Sequence, residues 1–148
     1  MKKEEIKTVS LRLDAGRENT ILSILLAVDG SIKRMGNGRF SDIDAKKELH
    51  IGAGQEQLFR DFVSHIPNDI FKYAGRYDLP EPQGLPCTLT LLFQGHDDSG
   101  VGYEFNYGSE SQGPPEEIQE LVTVAIETTN KWLEAQNIKT SKPWWRLW

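Results

Sequence analysis

A single apolar stripe late in the chain does most to limit the fold. Ile118, Leu121, Val122, Ala125, Thr129, Trp132 and Leu133 recur at steps of three and four residues, the spacing that lines one face of an α-helix. Gly113-Pro114-Pro115 leads into it. Proline fits the first helical turn, where its missing N–H has no intrahelical partner. Glu116, Glu117 and Glu120 put negative charge at the positive end of the helix dipole, while Lys131 lies in the last turns and Asn137 is the expected stop. A helix over 114–136 spans roughly 33 Å at about 1.5 Å per residue. It is long enough to cross a small domain, so the remaining elements are expected to pack against it.

Those elements read mostly as strands. Cys87, Leu89, Leu91 and Phe93 alternate with polar positions, as do Val101, Tyr103, Phe105 and Tyr107, and a polar turn of Gly95 to Gly100 joins the runs into a β-hairpin. Near the start, Val9, Leu11 and Leu13 alternate with Ser10, Arg12 and Asp14. Ile21 to Val28 is almost wholly apolar, as expected of a central strand covered on both faces. Asp29-Gly30 suits a two-residue type I′ turn, which would set Ile32 opposite Ala27 and Met35 opposite Ile24. Lys47 to Ile51 reads as a short strand. Leu58, Phe59, Phe62, Val63 and Ile66 form a second amphipathic helix, stopped before Pro67. Asn68 and Asp69 can cap a further helical turn ending at Gly75, and 76–86, with three prolines, reads as an extended connector.

The expected fold is therefore α+β, a two-layer sandwich with a mainly antiparallel sheet of five or six strands and two main helices on one face. Residues 1–142 form one domain and 143–148 a Trp-rich C-terminal tail. At 148 residues the chain can bury an adequate core without metal or disulfide staples. Phe59, Phe62, Leu89, Leu91, Phe93, Phe105, Leu121, Val122, Ala125 and Trp132 are the expected core. The lone cysteine, Cys87, permits no internal disulfide and suits a reducing compartment, so a cytoplasmic location is expected. No stretch has the length or apolarity of a bilayer span or secretory signal.

Charge is unevenly placed. Residues 1–60 hold 11 Lys/Arg against 9 Asp/Glu, whereas 61–148 hold 6 against 13. An acidic second half repels nucleic acid and can steer basic partners. Nucleic-acid binding is accordingly disfavoured.

Candidate chemistry is sparse. Gly36-Asn37-Gly38 lies between Arg34 and Arg39, where glycine amides and forked guanidinium groups could hold an anion; the plainer reading is a turn with solvated arginines. Leu49-His50-Ile51-Gly52-Ala53-Gly54 ahead of a helix has part of a dinucleotide layout, but Gln57 stands where the third glycine belongs. His96, Asp97 and Asp98 share one turn, and adjacent residues there rarely converge on one metal or proton. Cys87 has no local cation to make it a thiolate, so it reads as core. No stronger catalytic motif occurs, and no cofactor or metal is implied.

The tail is the least routine feature. Trp144, Trp145 and Trp148 with Arg146 combine apolar area and a cation, the residue types that anchor interfaces. They fold back on their own domain or dock into a protein partner or second copy; insertion at a membrane interface is the least favoured alternative, since Arg146 alone is a poor lipid anchor. The expected function is a non-catalytic binding or interaction module, in concrete form an adaptor or bacterial immunity-type protein, using the acidic surface and the tail. The alternative is a small enzyme or small-ligand or anion-binding domain with a site near Arg34, Arg39 and His50.

Overall fold

The computed structural model describes residues 1–16, 19–80, 82–96 and 99–140, the last four of these without their side chains. Asp97, Asp98 and the tail residues Trp144, Trp145, Arg146 and Trp148 lie outside the described residues.

The alternating segment near the start becomes the central strand of the sheet, β1 (Ile6–Ala15). On one side it pairs antiparallel with β2 (Asn19–Ala27), followed by β3 (Ile32–Gly36) and β4 (Leu49–Gly52). On the other it pairs with β6 (Pro86–Gly95), then β7 (Gly100–Gly108) and β5 (Gly75–Asp78). The order across the seven strands is β4-β3-β2-β1-β6-β7-β5. The sheet is mixed, because β5 joins β7 in parallel. Five or six strands were expected; the additional one is β5. Gly-Arg-Tyr-Asp is short, exposed along its length and without alternation, so it carries none of the signal of a half-buried strand.

Two helices complete the α+β fold, α1 (Glu56–Ser64) and α2 (Glu116–Thr140). Phe59 and Phe62 of α1 and Ile118, Leu121, Ala125 and Trp132 of α2 share one buried cluster with Val9, Leu11, Ile24, Leu26, Leu91 and Phe93 of the sheet. Val122 is half-buried beside that cluster rather than within it. On the opposite face of the sheet Ser10, Ser23, Leu25, Thr90, Leu92 and Glu104 are only half-buried. β2 is thus covered on one face, not two. Its unbroken apolar run has another origin. Leu13 pairs with Leu22 but Asp14 pairs with Thr20, so Ile21 is the extra residue of a β-bulge, and Ile21 and Leu22 are both fully buried.

The β2–β3 turn also differs from expectation. The Ala27 N–H donates to Ser31 O at 3.0 Å and the Gly30 N–H to Ala27 O at 3.0 Å, with Gly30 at φ 92°. This is a three-residue loop, Val28-Asp29-Gly30, ending in a left-handed glycine. The Ser31 N–H donates to the Asp29 carboxylate at 2.8 Å and holds that group below the usual carboxylate range. The pairing becomes Leu26 with Ile32 and Ile24 with Arg34, one residue from the two-residue register. A one-residue slip exchanges the faces. Ile32 and Arg34 enter the helix-covered side, while Met35 turns to the open side with Lys33.

α2 crosses the sheet from one flank to the other. It sets Ile118 beside Tyr103 and Phe105, Val122 beside Leu13 and Leu89, Thr129 on Arg34 and Trp132 on Gly52. The helix runs past Asn137 to Thr140, about 37 Å at 1.5 Å per residue. At β4 the fit is close: a β-carbon on Gly52 would lie 2.5 Å from Trp132 Cζ2 and 3.1 Å from Ile32 Cγ2. We expect Gly52→Ala to destabilise the fold by about 1–3 kcal/mol through overpacking. Most of that loss should vanish in a Trp132→Leu background. Urea denaturation of the four proteins measures the coupling.

Candidate functional site

The register of β3 brings an arginine into the interior. Arg34 is 2% exposed. Its Nε donates to Gly36 O at 2.8 Å, and its Nη1 to Thr129 Oγ1 at 2.7 Å, Asn130 Oδ1 at 2.9 Å and Ile126 O at 3.3 Å. All four acceptors are neutral. No ion pair to Arg34 occurs among the described residues, and its Nη2 donates to none of them. Burial pulls the guanidinium pKa down, yet arginine keeps its charge in proteins. A buried charge is ordinarily paired with an opposite one, so this cation is under-compensated.

Arg34 lines a cavity of about 390 Å³ between the β3–β4 connection and α2. Lys46, Lys47, His50 and Asn130 line it too, as do Asp42 and Glu48. His50 stands directly across from Arg34 in the β3–β4 ladder, which puts it on the same face. The connection is held by its own polar groups: Asn37 Nδ2 donates to Asp42 Oδ2 at 2.6 Å, and Lys47 Nζ donates to Ala45 O at 2.9 Å and Ile43 O at 3.2 Å. Asp42 is thereby engaged with an amide, and the Glu48 carboxylate, 82% exposed, reaches only to 4.0 Å from His50 Nε2. Neither acid pairs with Arg34.

The candidates read from sequence are distributed differently from the spacing alone. Arg34 and His50 come together at this cavity; Arg39 is exposed and does not line it. Two of the Gly36–Arg39 amides are used within the fold: the Gly38 N–H donates to Ile21 O at 2.9 Å and the Arg39 N–H to Asn37 Oδ1 at 2.9 Å. Cations on side chains, rather than glycine amides, therefore give this corner its character. Lys46, Lys47 and Asn130 were not singled out by sequence reasoning. Thr129 was a visible clue, a hydroxyl set in the middle of an apolar stripe.

Other candidates lie apart. His96 is exposed at the β6–β7 end, where its carbonyl accepts from the Ser99 N–H and hydroxyl. The Gly52–Gly54 segment leads into α1, but β4 is antiparallel to β3, and the Gln55 N–H is tied to Gly30 O at 3.0 Å. Cys87 is buried, its Sγ 3.4 Å from Leu85 O, and burial pushes the thiol pKa up. Among the described residues no three His, Cys, Asp or Glu side chains gather where they could hold a metal, and no helix is long and apolar enough to cross a membrane. No protein-family model matches the chain, and no curated protein matches it in sequence.

Thr129 both donates to Ala125 O at 2.7 Å and accepts from Arg34. Thr129→Val would leave the guanidinium short of an acceptor, a loss of about 1.5–3 kcal/mol for a bond to a charged group. The same substitution made in Arg34→Met should have much less effect, as read from denaturant midpoints.

Proposed function

We propose that this protein is a non-catalytic binding module whose cavity beside Arg34 takes a small anion, a phosphate or carboxylate group. One observation carries the reading: an almost wholly buried guanidinium, with no acidic partner among the described residues, lines a cavity that Lys46 and Lys47 line too. Guanidinium and ammonium donors together suit an oxyanion, which accepts several charge-assisted hydrogen bonds at once. An anion there would supply the charge that the described residues do not bring to Arg34. Thermal unfolding in sodium phosphate, sodium acetate and sodium chloride at matched ionic strength tests this. A ligand at a hundred times its Kd adds about 2.7 kcal/mol of stability, so the midpoint should climb with phosphate or acetate and not with chloride. Replacing Lys46 and Lys47 together by alanine should weaken binding roughly tenfold, or about 1.4 kcal/mol. Equal midpoints in all three salts would remove the reading.

A second reading, a protein-interaction module using the acidic second half and the tail residues Trp144, Trp145, Arg146 and Trp148, is favoured by the path of α2. From Trp132 over β4 the helix continues for eight residues to Thr140, about 12 Å, more than two strand spacings. It so carries the chain past the β4 edge, where Leu49 and Ile51 are 56% and 65% exposed on the open face. Removing the chain from Pro143 onward should then abolish self-association or capture of a basic protein partner, measured by light scattering over a salt series. The lone, buried Cys87 is what supports a cytoplasmic setting for either reading.

A further inference from the structure

The cavity beside Arg34 is lined by both signs of charge. Arg34, Lys46 and Lys47 bring cations to it, and Asp42 and Glu48 bring carboxylates. Opposite charges in one small corner ordinarily pair, and here they do not. Arg34 meets only neutral acceptors, Lys47 Nζ donates to the Ile43 and Ala45 carbonyls, and Lys46 forms no ion pair among the described residues. The guanidinium is not sealed off either. Among the described residues, the buried side-chain nitrogens and oxygens without a partner are Tyr103 Oη and Trp132 Nε1. Arg34 Nη2, which donates to no described residue, is not one of them, so it keeps surface toward the cavity that Arg34 lines.

The acids are held in place without being neutralised. Asn37 Nδ2 donates to Asp42 Oδ2 at 2.6 Å, and Asn37 Oδ1 accepts in turn from the Arg39 N–H. Asp42 Oδ1 takes no hydrogen bond from a described residue, and Glu48 forms no ion pair with Arg34, Lys46 or Lys47. A plain anion on Arg34 is therefore attracted by the cations and repelled by the two carboxylates at once. A ligand carrying both signs turns that repulsion into attraction. The cavity, at about 390 Å³, is of the size that takes a small organic molecule rather than one oxyanion, and Ala45 and Leu133 add a carbon wall to it.

We propose that the anion taken here is the carboxylate of a zwitterion, a small free amino acid. Its carboxylate lies on Arg34 and Lys46, its ammonium on Asp42 and Glu48, and its side chain against Leu133. The inference rests on the anion-binding reading and narrows it, making the two acids the groups that determine specificity.

Leucine, 4-methylpentanoate and 3-methylbutylamine separate the two charges: the second lacks only the ammonium of leucine, and the third lacks its carboxylate. They are titrated into the full chain at pH 7 and followed through the backbone amide NMR signals of residues 45–50. Leucine should bind about tenfold more tightly than 4-methylpentanoate, the low end of what a hydrogen bond to a charged group supplies, and 3-methylbutylamine should not bind. Asp42→Asn keeps an oxygen for the Asn37 amide, and Glu48→Gln changes a side chain that is 82% exposed. Each should weaken leucine and strengthen 4-methylpentanoate, and the two together should erase the preference. A variant that had lost its fold would instead lose both ligands, and the opposed shifts in Glu48→Gln would then decide. The proposal is overturned, with the anion reading intact, if 4-methylpentanoate binds as tightly as leucine or if the preference survives the double replacement. Both fall if 3-methylbutylamine binds as tightly as leucine, or if neither carboxylate binds and the midpoints in the three salts are equal.

Discussion

A charge almost wholly withdrawn from water needs acceptors within the fold, and in this protein most of the acceptors for Arg34 lie on the element that covers the sheet. Gly36 O comes from the same strand, but Ile126 O, Thr129 Oγ1 and Asn130 Oδ1 all come from α2. Apolar packing alone is non-directional; it would hold the stripe of α2 against the sheet without fixing where along the stripe β3 must lie. Three hydrogen bonds from one guanidinium remove that freedom, because sliding the helix by a turn would leave a buried cation unserved. Two small residues allow the same alignment. Gly52 lets Trp132 lie directly on β4, and Ala125, almost fully buried, leaves room at the middle of the crossing.

Arg34 reaches this position through two local irregularities rather than through its own preference for burial. The bulge at Ile21 adds one residue to β2 relative to β1, and the turn through Gly30 adds one relative to a two-residue hairpin. Gly30 is held from a third direction, since its carbonyl accepts from Gln55 at the start of α1. A β-carbon there would also lie 2.8 Å from the Gln55 nitrogen. Turn, strand register and helix entry are consequently one coupled unit, and the side on which Arg34 emerges is a property of that unit.

This explains what could be read from the sequence and what could not. The β6–β7 hairpin and α2 carry long periodic signals: Leu89, Leu91 and Phe93, then Tyr103 and Phe105, and Ile118, Leu121, Ala125, Thr129 and Trp132 of the helix stripe are buried as their spacing implies. Register carries no such signal. Asp29-Gly30 fits two turn geometries one residue apart, and the choice between them depends on α1, which arrives some 25 residues later. β5 is readable only through its partner, because Tyr77 gains its meaning by stacking on Phe105. Of the candidate site, Arg34 and His50 were recognisable as residue types. Their convergence with Lys46 and Lys47 needed a connection folded by its own side chain and backbone bonds, which no periodicity records.

Cavities lie beside α2 at both ends of its crossing of the sheet, one at β3 and β4 and one at β5 and β7. Seven strands at about 4.8 Å span roughly 29 Å, and each neighbour is rotated by about 20–25°. A helix about 37 Å long has reach enough to cross them, but it follows one line over a surface that turns beneath it. Leu11, Leu91 and Ala125 are almost fully buried at the middle of the crossing, and Ile32 and Trp132 are buried as well at its β3–β4 end. α1 brings Phe59 and Phe62 to the remaining part of the covered face. The cavity at β3 and β4 is walled by the polar connection 36–48, and the one at β5 and β7 by aromatic rings. The local sequence at each end of α2 thus determines whether the space beside it is suited to charge or to carbon.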